Sequence, residues 1–152
     1  MATIRWQWLR YDDMGKHELY EAMVLRQEVF VVEQNCPYQD ADRLDQHSWH
    51  LLGWSDKNPQ QLLAYLRVVE KELKYSEISI GRVVTHPSTR GTGAGRELMA
   101  TAINCIEKHL DRQAIRISAQ EYLLSFYGSF GFVPVSDIYL EDDIPHVEML
   151  RS

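Results

Sequence analysis

The segment that decides the fold runs from Ser79 to Arg96 and reads SIGRVVTHPSTRGTGAGR. Its first half is rich in β-branched residues and predicts a strand. Its second half places Gly91, Gly93 and Gly95 directly before a long amphipathic stretch, which predicts a helix. Glycine lets the backbone approach a ligand closely, and the first turn of a helix presents unpaired N–H groups at its positive dipole end. The segment therefore predicts a loop that binds a phosphate or a pyrophosphate.

The spacing of this loop narrows the kind of phosphate ligand. It reads G-x-G-x-G, so it does not meet the G-x-G-x-x-G dinucleotide fingerprint, and no Gly-Lys-Ser/Thr follows as in a nucleoside triphosphate loop. Arg90-x-x-Gly93-x-Gly95 resembles the pyrophosphate-binding motif of the GNAT acyltransferase superfamily, which binds the diphosphate of coenzyme A. The alternative interpretation is a plain glycine-rich turn that caps a core helix.

A second segment, Ile115 to Phe132, reads IRISAQEYLLSFYGSFGF and favours the first interpretation. It predicts a strand, a short helix and a Gly-Phe pair that opens another strand. This pattern resembles the second GNAT motif, in which an aromatic or Leu residue and a Tyr, here Phe126 and Tyr127, precede Gly-Phe by a few residues. Both motifs occur in the expected order, and the segments at 25–40 and 139–146 look like the ElaA-like branch of the superfamily.

Hydrophobic periodicity predicts the remaining elements. Alternation predicts a first strand at 4–8, and helical spacing predicts a helix over 17–32. Further helices are predicted at 93–110 and 121–130, and further strands at 47–54, 62–69, 78–85, 114–119, 132–140 and 146–150. This order indicates a single α+β domain over residues 1–152. The resemblance implies the GNAT fold, a mixed, mostly antiparallel twisted sheet of about six to seven strands with helices on both faces.

The resemblance also implies acetyl-CoA as the cofactor and assigns residues to it. The end of the third β-rich run would pair its backbone with the pantetheine arm, as an extended segment adds to a sheet edge. Gln120 lies where many family members have an Asn that contacts the cofactor. The residues expected to bind the cofactor are Val83, Val84, Thr85, Arg90, Gly91, Thr92, Gly93, Ala94, Gly95, Arg96, Gln120 and Tyr127.

Tyr127 is the candidate proton donor. An amine that attacks a thioester expels a thiolate, and a tyrosine within hydrogen-bond reach can protonate it. The alternative is a core tyrosine on the apolar face of its helix. The general base is open, because the glutamate that many GNAT proteins carry on the strand before the loop is absent here. Glu33, His50 or a water relay could accept the proton, and Arg26, Glu33 and Arg82 are candidates to contact the acceptor.

The acidic residues Asp40, Asp42 and Asp45 do not form a calcium loop, because an EF-hand needs Gly at its sixth position and Glu at its twelfth. His47 and His50 would lie on opposite faces of a strand, so they cannot form a local chelate. We expect no metal site, and we expect the acidic cluster to be a solvated loop or, more specifically, a wall of an amine pocket.

Composition limits the partners. The net charge of −6 disfavours nucleic acid, which needs clustered Lys and Arg. No apolar run reaches the ~18 residues that a membrane helix requires, and no signal peptide is recognisable, so a cytoplasmic location without membrane contact is expected. Cys36 and Cys105 are too few and too distant for a disulfide framework. The aromatic-rich C-terminal strands make a homodimer a candidate assembly.

The resemblance to GNAT proteins implies an enzyme that transfers an acetyl group from acetyl-CoA to a primary amine of a small molecule or peptide by direct attack in a ternary complex. Two alternatives stay open. One is a non-catalytic module that senses coenzyme A. The other is an acyltransferase similar to acyl-homoserine lactone synthases, because Arg-x-x-Val-Phe-x-x-Glu from Arg26 to Glu33 faintly resembles their N-terminal motif.

Overall fold

A mostly antiparallel, twisted sheet forms the centre of the molecule. The computed structural model describes residues 3–152, and within them the sheet has eight strands in the order β1-β2-β3-β4-β5-β8-β6, with β7 also paired to β8. Among the described strands, β4 and β5 are the one pair that runs in parallel. The strands are β1 Ile4–Arg10, β2 Ser48–Ser55, β3 Leu62–Val69, β4 Ile78–Thr85, β5 Ile115–Gln120, β6 Val133–Pro134, β7 Tyr139–Glu141 and β8 Ile144–Arg151.

The predicted α+β class and sheet type are confirmed, and one prediction differs in detail. The segment 132–140 was expected to form one strand, but it forms two short strands, β6 and β7, that both pair with β8. The described sheet therefore has one or two strands more than the six to seven expected. The amide of Val135 still bonds the carbonyl of Glu148 at 2.8 Å, so contact with β8 continues one residue beyond β6.

Three α-helices lie against the sheet: α1 Lys16–Arg26, α2 Ala94–His109 and α3 Leu124–Gly128. The helix predicted over 17–32 changes its winding at Gln27 and continues as a π-helix, Gln27–Glu33. The amide of Gln34 bonds the carbonyl of Val29 at 3.1 Å, and that of Cys36 bonds Val31 at 3.0 Å, five residues back in each case. No helix within residues 3–152 is both long and apolar enough to span a membrane.

Helices cover both faces of the sheet because neighbouring strand residues point to opposite sides. Leu51 and Leu66 face α2, whose buried stripe includes Leu98, Met99, Ala102 and Ile106. Leu52 and Tyr65 face α1 and the π-helix, where they meet Ala22, Leu25 and Val29. The sheet is therefore packed from both sides along β2 and β3.

The acidic loop after the π-helix is not solvated, contrary to one of the expectations. Asp40 and Asp45 are buried, and both carboxylates bind Arg26, at 2.8 and 2.7 Å. Asp45 also binds Arg67 at 2.9 Å, while Asp42 binds both Arg67 and Arg82. The negative charge of these aspartates is compensated by arginines from α1, β3 and β4, so a buried ionic network fixes the loop against the sheet.

Candidate active site

Strands β4 and β5 separate to form a cleft. They pair only where they begin, with Ile78 opposite Ile115 and Ser79 opposite Arg116, and then diverge toward their C-terminal ends. An open cleft lies in this region and is lined by residues from β4, β5, the π-helix, α3 and the β7–β8 hairpin. Ligands of open sheets bind at the carboxyl ends of the strands, and this gap is such a place.

A β-bulge on β4 turns the strand toward the cleft. Val84 pairs with Tyr65 and Gly81 pairs with Arg67, so Arg82 and Val83 together face one residue of β3. Arg82 has φ +53°, in the left-handed region that non-glycine residues rarely adopt. Its side chain holds this conformation by binding Asp40 at 2.8 Å. A bulge leaves backbone groups without a partner in the ladder, and here both bulged residues line the cleft.

The glycine-rich loop after β4 has the conformation that an anion site needs. Gly91 and Gly93 have φ of +80° and +87°, and a Cβ added at either would meet open space. The carbonyl of Gly93 accepts from the amide of Glu97 at 3.1 Å, which closes the first turn of α2. The amides of residues 94–96 precede that bond and have no intrahelical acceptor. These amides and the two glycines suit a diphosphate at the N-terminus of α2.

The two arginines predicted to flank the loop occupy different surroundings. Arg90 forms a two-pronged ion pair with Glu33 at 2.7 and 2.5 Å on the surface. The hydrogen bond and charge of Arg90 lower the pKa of Glu33. Arg96 binds the Ser129 hydroxyl at 3.1 Å and lies over the ring of Phe126. Arg90 therefore lies at the surface next to the loop, while Arg96 connects α2 to α3.

Tyr127 lies on α3 at the wall of the cleft and is 7% exposed. Its ring meets Phe126 and Phe132 edge to face, with ring centroids 5.2 and 6.1 Å apart. Burial raises the pKa of its hydroxyl above the ordinary range of tyrosine. The phenol is thus protonated at neutral pH and has its ring fixed by neighbouring aromatics. Gln120, at the end of β5, lines the same cleft.

Two of the proposed catalytic and acceptor residues lie away from the cleft. His50 is 1% exposed; its Nδ1 lies 2.7 Å from the Tyr65 hydroxyl and its Nε2 lies 2.9 Å from the carbonyl of Asp45. Burial lowers its pKa to about 4. Arg26 is 0% exposed and is held by Asp40 and Asp45. Both belong to the buried network, so the geometry does not support a general base at His50 or an acceptor contact at Arg26.

Glu33 is also absent from the lining of the cleft, whereas Arg82 is part of it. The structure adds residues to which the sequence assigned no role: Tyr38, Lys74, Glu141 and His146 also line the cleft. They come from a loop, a turn and a hairpin that are far apart in sequence. The ElaA-like segments at 25–40 and 139–146 contain three of them, but no sequence signal pointed to Lys74. Within residues 3–152, no group of three or more His, Cys, Asp or Glu residues could hold a metal ion.

Comparison with known proteins identifies this architecture. Residues 12–152 match the family described as acetyltransferase (GNAT) domain. The chain belongs to the GNAT family. Among its GNAT relatives, a UPF0039 protein of Synechocystis sp. is 45% identical, over 97% of this chain and 94% of that protein. Protein ElaA of Escherichia coli is 39% identical, over 98% and 97% of the two chains.

A solved structure agrees with this GNAT assignment. The crystal structure of an acyl-CoA N-acyltransferase from Pseudomonas aeruginosa matches with a TM-score of 0.92 and 43% identity, and it covers 99% of this chain and 100% of that one. The predicted resemblance to the ElaA-like branch is confirmed. GNAT acyltransferases use acetyl-CoA or coenzyme A as cosubstrate, and the splayed strands, the bulge and the glycine-rich loop fit that molecule.

Proposed function

We propose that this GNAT protein transfers an acetyl group from acetyl-CoA to a primary amine of a small molecule or peptide, by direct attack within a ternary complex. The observation that carries the proposal is the cleft itself. It joins the bulge of β4, the end of β5 and the buried phenol of Tyr127 in one space. Acetyl-CoA, when bound, supplies the thioester whose acyl group is transferred.

The cofactor half of the site would be formed mostly by backbone groups. Val83, Val84 and Thr85 would pair with the amides of the pantetheine arm, because the bulge and the divergence from β5 leave room beside β4. The loop from Arg90 to Arg96 would hold the diphosphate through its free amides and the positive end of α2. Gln120 would contact the arm from β5.

Tyr127 would donate the proton that the departing thiolate needs. Its hydroxyl carries a proton at neutral pH, so a proton is available when a thiolate forms beside it. Proton transfer by a positioned side chain contributes about 10²–10⁴-fold to a rate. The aromatic contacts of Phe126 and Phe132 fix the ring, so the hydroxyl is held in place at low entropic cost.

The test combines binding with turnover. Calorimetric titration with acetyl-CoA and desulfo-CoA should show binding, and thiol release should be measured with spermidine, glucosamine and a lysine-containing tripeptide as acceptors. Tyr127→Phe should leave cofactor affinity within about twofold and lower turnover about 10²–10⁴-fold. Tyr20→Phe is the matched control, since Tyr20 is exposed on α1.

The outcomes separate the competing functions. Absence of acetyl-CoA binding would refute the proposal. Binding without thiol release on any amine would favour the coenzyme A sensor instead. Full activity in Tyr127→Phe would show that the protein transfers acyl groups but that Tyr127 is not the proton donor.

A further inference from the structure

The cleft contains a histidine that lies outside both GNAT motifs and has no part in the proton donation proposed for Tyr127. His146 is on β8, is 7% exposed, and lines the same cleft as Tyr127. Its backbone pairs with Gln120, the last residue of β5, so the sheet register places it where β5 leaves β4. Histidine is the side chain that exchanges protons most readily near neutral pH.

Hydrogen bonding fixes which ring nitrogen of His146 carries the proton. Nδ1 lies 2.7 Å from the carbonyl oxygen of Ile144. A carbonyl oxygen can only accept a hydrogen bond, so Nδ1–H must be the donor. In the neutral ring, Nε2 is then left with a free lone pair. The imidazole is thereby held in the tautomer that can accept a proton at Nε2.

A carboxylate stands next to that lone pair. Oε2 of Glu141 lies 3.4 Å from Nε2 of His146, within ion-pair range. The neutral ring has no proton at Nε2 to give to Glu141, whereas the protonated ring has an N–H that the carboxylate can accept. Glu141 therefore places a negative charge beside the nitrogen that has the free lone pair.

The hairpin between β7 and β8 holds this pair in place. Asp142 and Asp143 have φ of +50° and +63°, the backbone of a tight two-residue turn, and Glu141 pairs with Ile144 across it. The ring of Tyr139 stacks on His146 with centroids 6.2 Å apart. The thiol of Cys36, from the end of the π-helix segment, approaches the carbonyl of Asp142 at 3.8 Å. The dyad is therefore fixed on three sides.

We propose that His146, supported by Glu141, is the proton acceptor for the amine that attacks the acetyl group. This inference rests on the proposed acyl transfer and names the general base that the sequence left open. It explains why a glutamate is not needed on β4 before the glycine-rich loop: the base is supplied from the opposite wall of the cleft. Glu141 acts through His146 and is a positioning residue.

The proton balance is complete without a further reactant. Nε2 of His146 takes one proton from the ammonium form of the acceptor, and the free amine forms the new C–N bond while the C–S bond of the thioester breaks. Tyr127 gives its proton to the sulfur that leaves. The second proton of the attacking nitrogen, released as the amide forms, restores the phenol. His146 returns its proton to solvent, so each transfer releases one proton.

Other charged and titratable groups line the same cleft, and the test variants should leave these residues unchanged. Tyr139 and Glu141 of β7 face the ring directly. The remaining groups, which line the cleft from the other elements, are Cys36, Tyr38, Lys74, Arg82, Tyr127 and Asp142. The cleft thus carries both signs of charge, and the carboxylate of Glu141 is the one in contact with Nε2 of the ring.

The first experiment needs no knowledge of the acceptor. Long-range ¹H–¹⁵N spectra of the wild-type protein with desulfo-CoA bound report the tautomer of each of the six histidines. The neutral ring of His146, assigned by its loss in His146→Asn, should carry its proton on Nδ1. A proton on Nε2 instead would overturn the proposal, because that nitrogen could not accept another.

The second experiment uses the best acceptor from the amine panel. His146→Asn should lower kcat/KM about 10²–10³-fold at neutral pH with unchanged affinity for acetyl-CoA. The deficit should shrink as the pH approaches about 10.4, the ordinary value of an alkyl ammonium, because the amine then arrives without its proton. Glu141→Gln, which removes the charge beside Nε2, should lower kcat/KM less than His146→Asn does. His47→Asn is the matched control, since His47 is exposed outside the cleft.

A deficit that is equal at all pH values would indicate a structural role and overturn the proposal. Failure of the proposed function would look different. In that case the wild-type protein itself would not bind acetyl-CoA or would release no thiol. If the wild type is active and the His146→Asn variant is equally active, His146 is not the general base, although the protein still transfers acyl groups.

Discussion

Replacement of Arg26 by Met should destabilise the protein severely, although Arg26 does not touch the cleft. Its guanidinium is fully buried and donates three hydrogen bonds, to the carboxylates of Asp40 and Asp45 at 2.8 and 2.7 Å and to the carbonyl of Asp40 at 3.1 Å. Removal of one member of a buried ion pair costs about 3–5 kcal/mol, since the remaining charge stays buried. Asp40 keeps Arg82 and Asp45 keeps Arg67, so we expect the lower end, about 3 kcal/mol.

Urea denaturation measures this loss. The midpoint of Arg26→Met should fall while the slope of the free energy of unfolding with urea stays the same, because the surface exposed on unfolding is unchanged. Arg112→Met is the matched control: Arg112 pairs with Glu107 at 3.0 Å on the surface, where a pair contributes about 0–1 kcal/mol. Equal losses in the two variants would refute the reasoning, because the buried network would then contribute no more than a solvated pair.

Two further predictions concern charge. Burial alone would raise the pKa of Asp45, but the hydrogen bond and charge of Arg26, together with Arg67, outweigh burial and lower the pKa. The ionised Asp45 therefore stabilises the folded protein fully above about pH 4. This stabilisation is lost as the pH falls through the pKa that Asp45 has in the folded protein. Acid titration of the urea midpoint should show this fall, and Asp45→Asn should flatten it. Glu33→Gln should tighten acetyl-CoA binding about two- to fivefold, because it releases Arg90 from a surface pair; a turnover loss of about a hundredfold would instead identify Glu33 as the base.

Much of the fold could be predicted because its signals are local. The runs that became β3, β4 and α2 carry their periodicity within single segments, and the observed bounds agree closely with those expected. The π-helix could not be predicted, because apolar residues at helical spacing do not distinguish a five-residue from a four-residue hydrogen bond. The break between β6 and β7 depends on which residues of 132–140 pair with β8, and tertiary structure decides this pairing.

The ionic contacts of the acidic loop also could not be predicted from local sequence. Three aspartates within six positions read as a solvated segment, because charged residues are rarely buried without partners. The partners exist, but Arg26, Arg67 and Arg82 lie 14 to 42 residues away in the contacts they make. Only the folded sheet brings them together, so no spacing rule in the sequence could have indicated the network.

The two halves of the site differ in how they could be recognised, and the difference is physical. A diphosphate is bound by consecutive backbone amides at one helix N-terminus, so its site is a continuous motif such as 90–96. On the proposed function, the wall that would face the acceptor includes Tyr38, Lys74 and the hairpin that carries Glu141 and His146, segments that are far apart in sequence. A change in any one of these segments alters that wall without touching the glycine-rich loop. Acceptor choice can therefore vary while cofactor binding stays constant, and substitutions at 141–146 are where a change of acceptor should be sought.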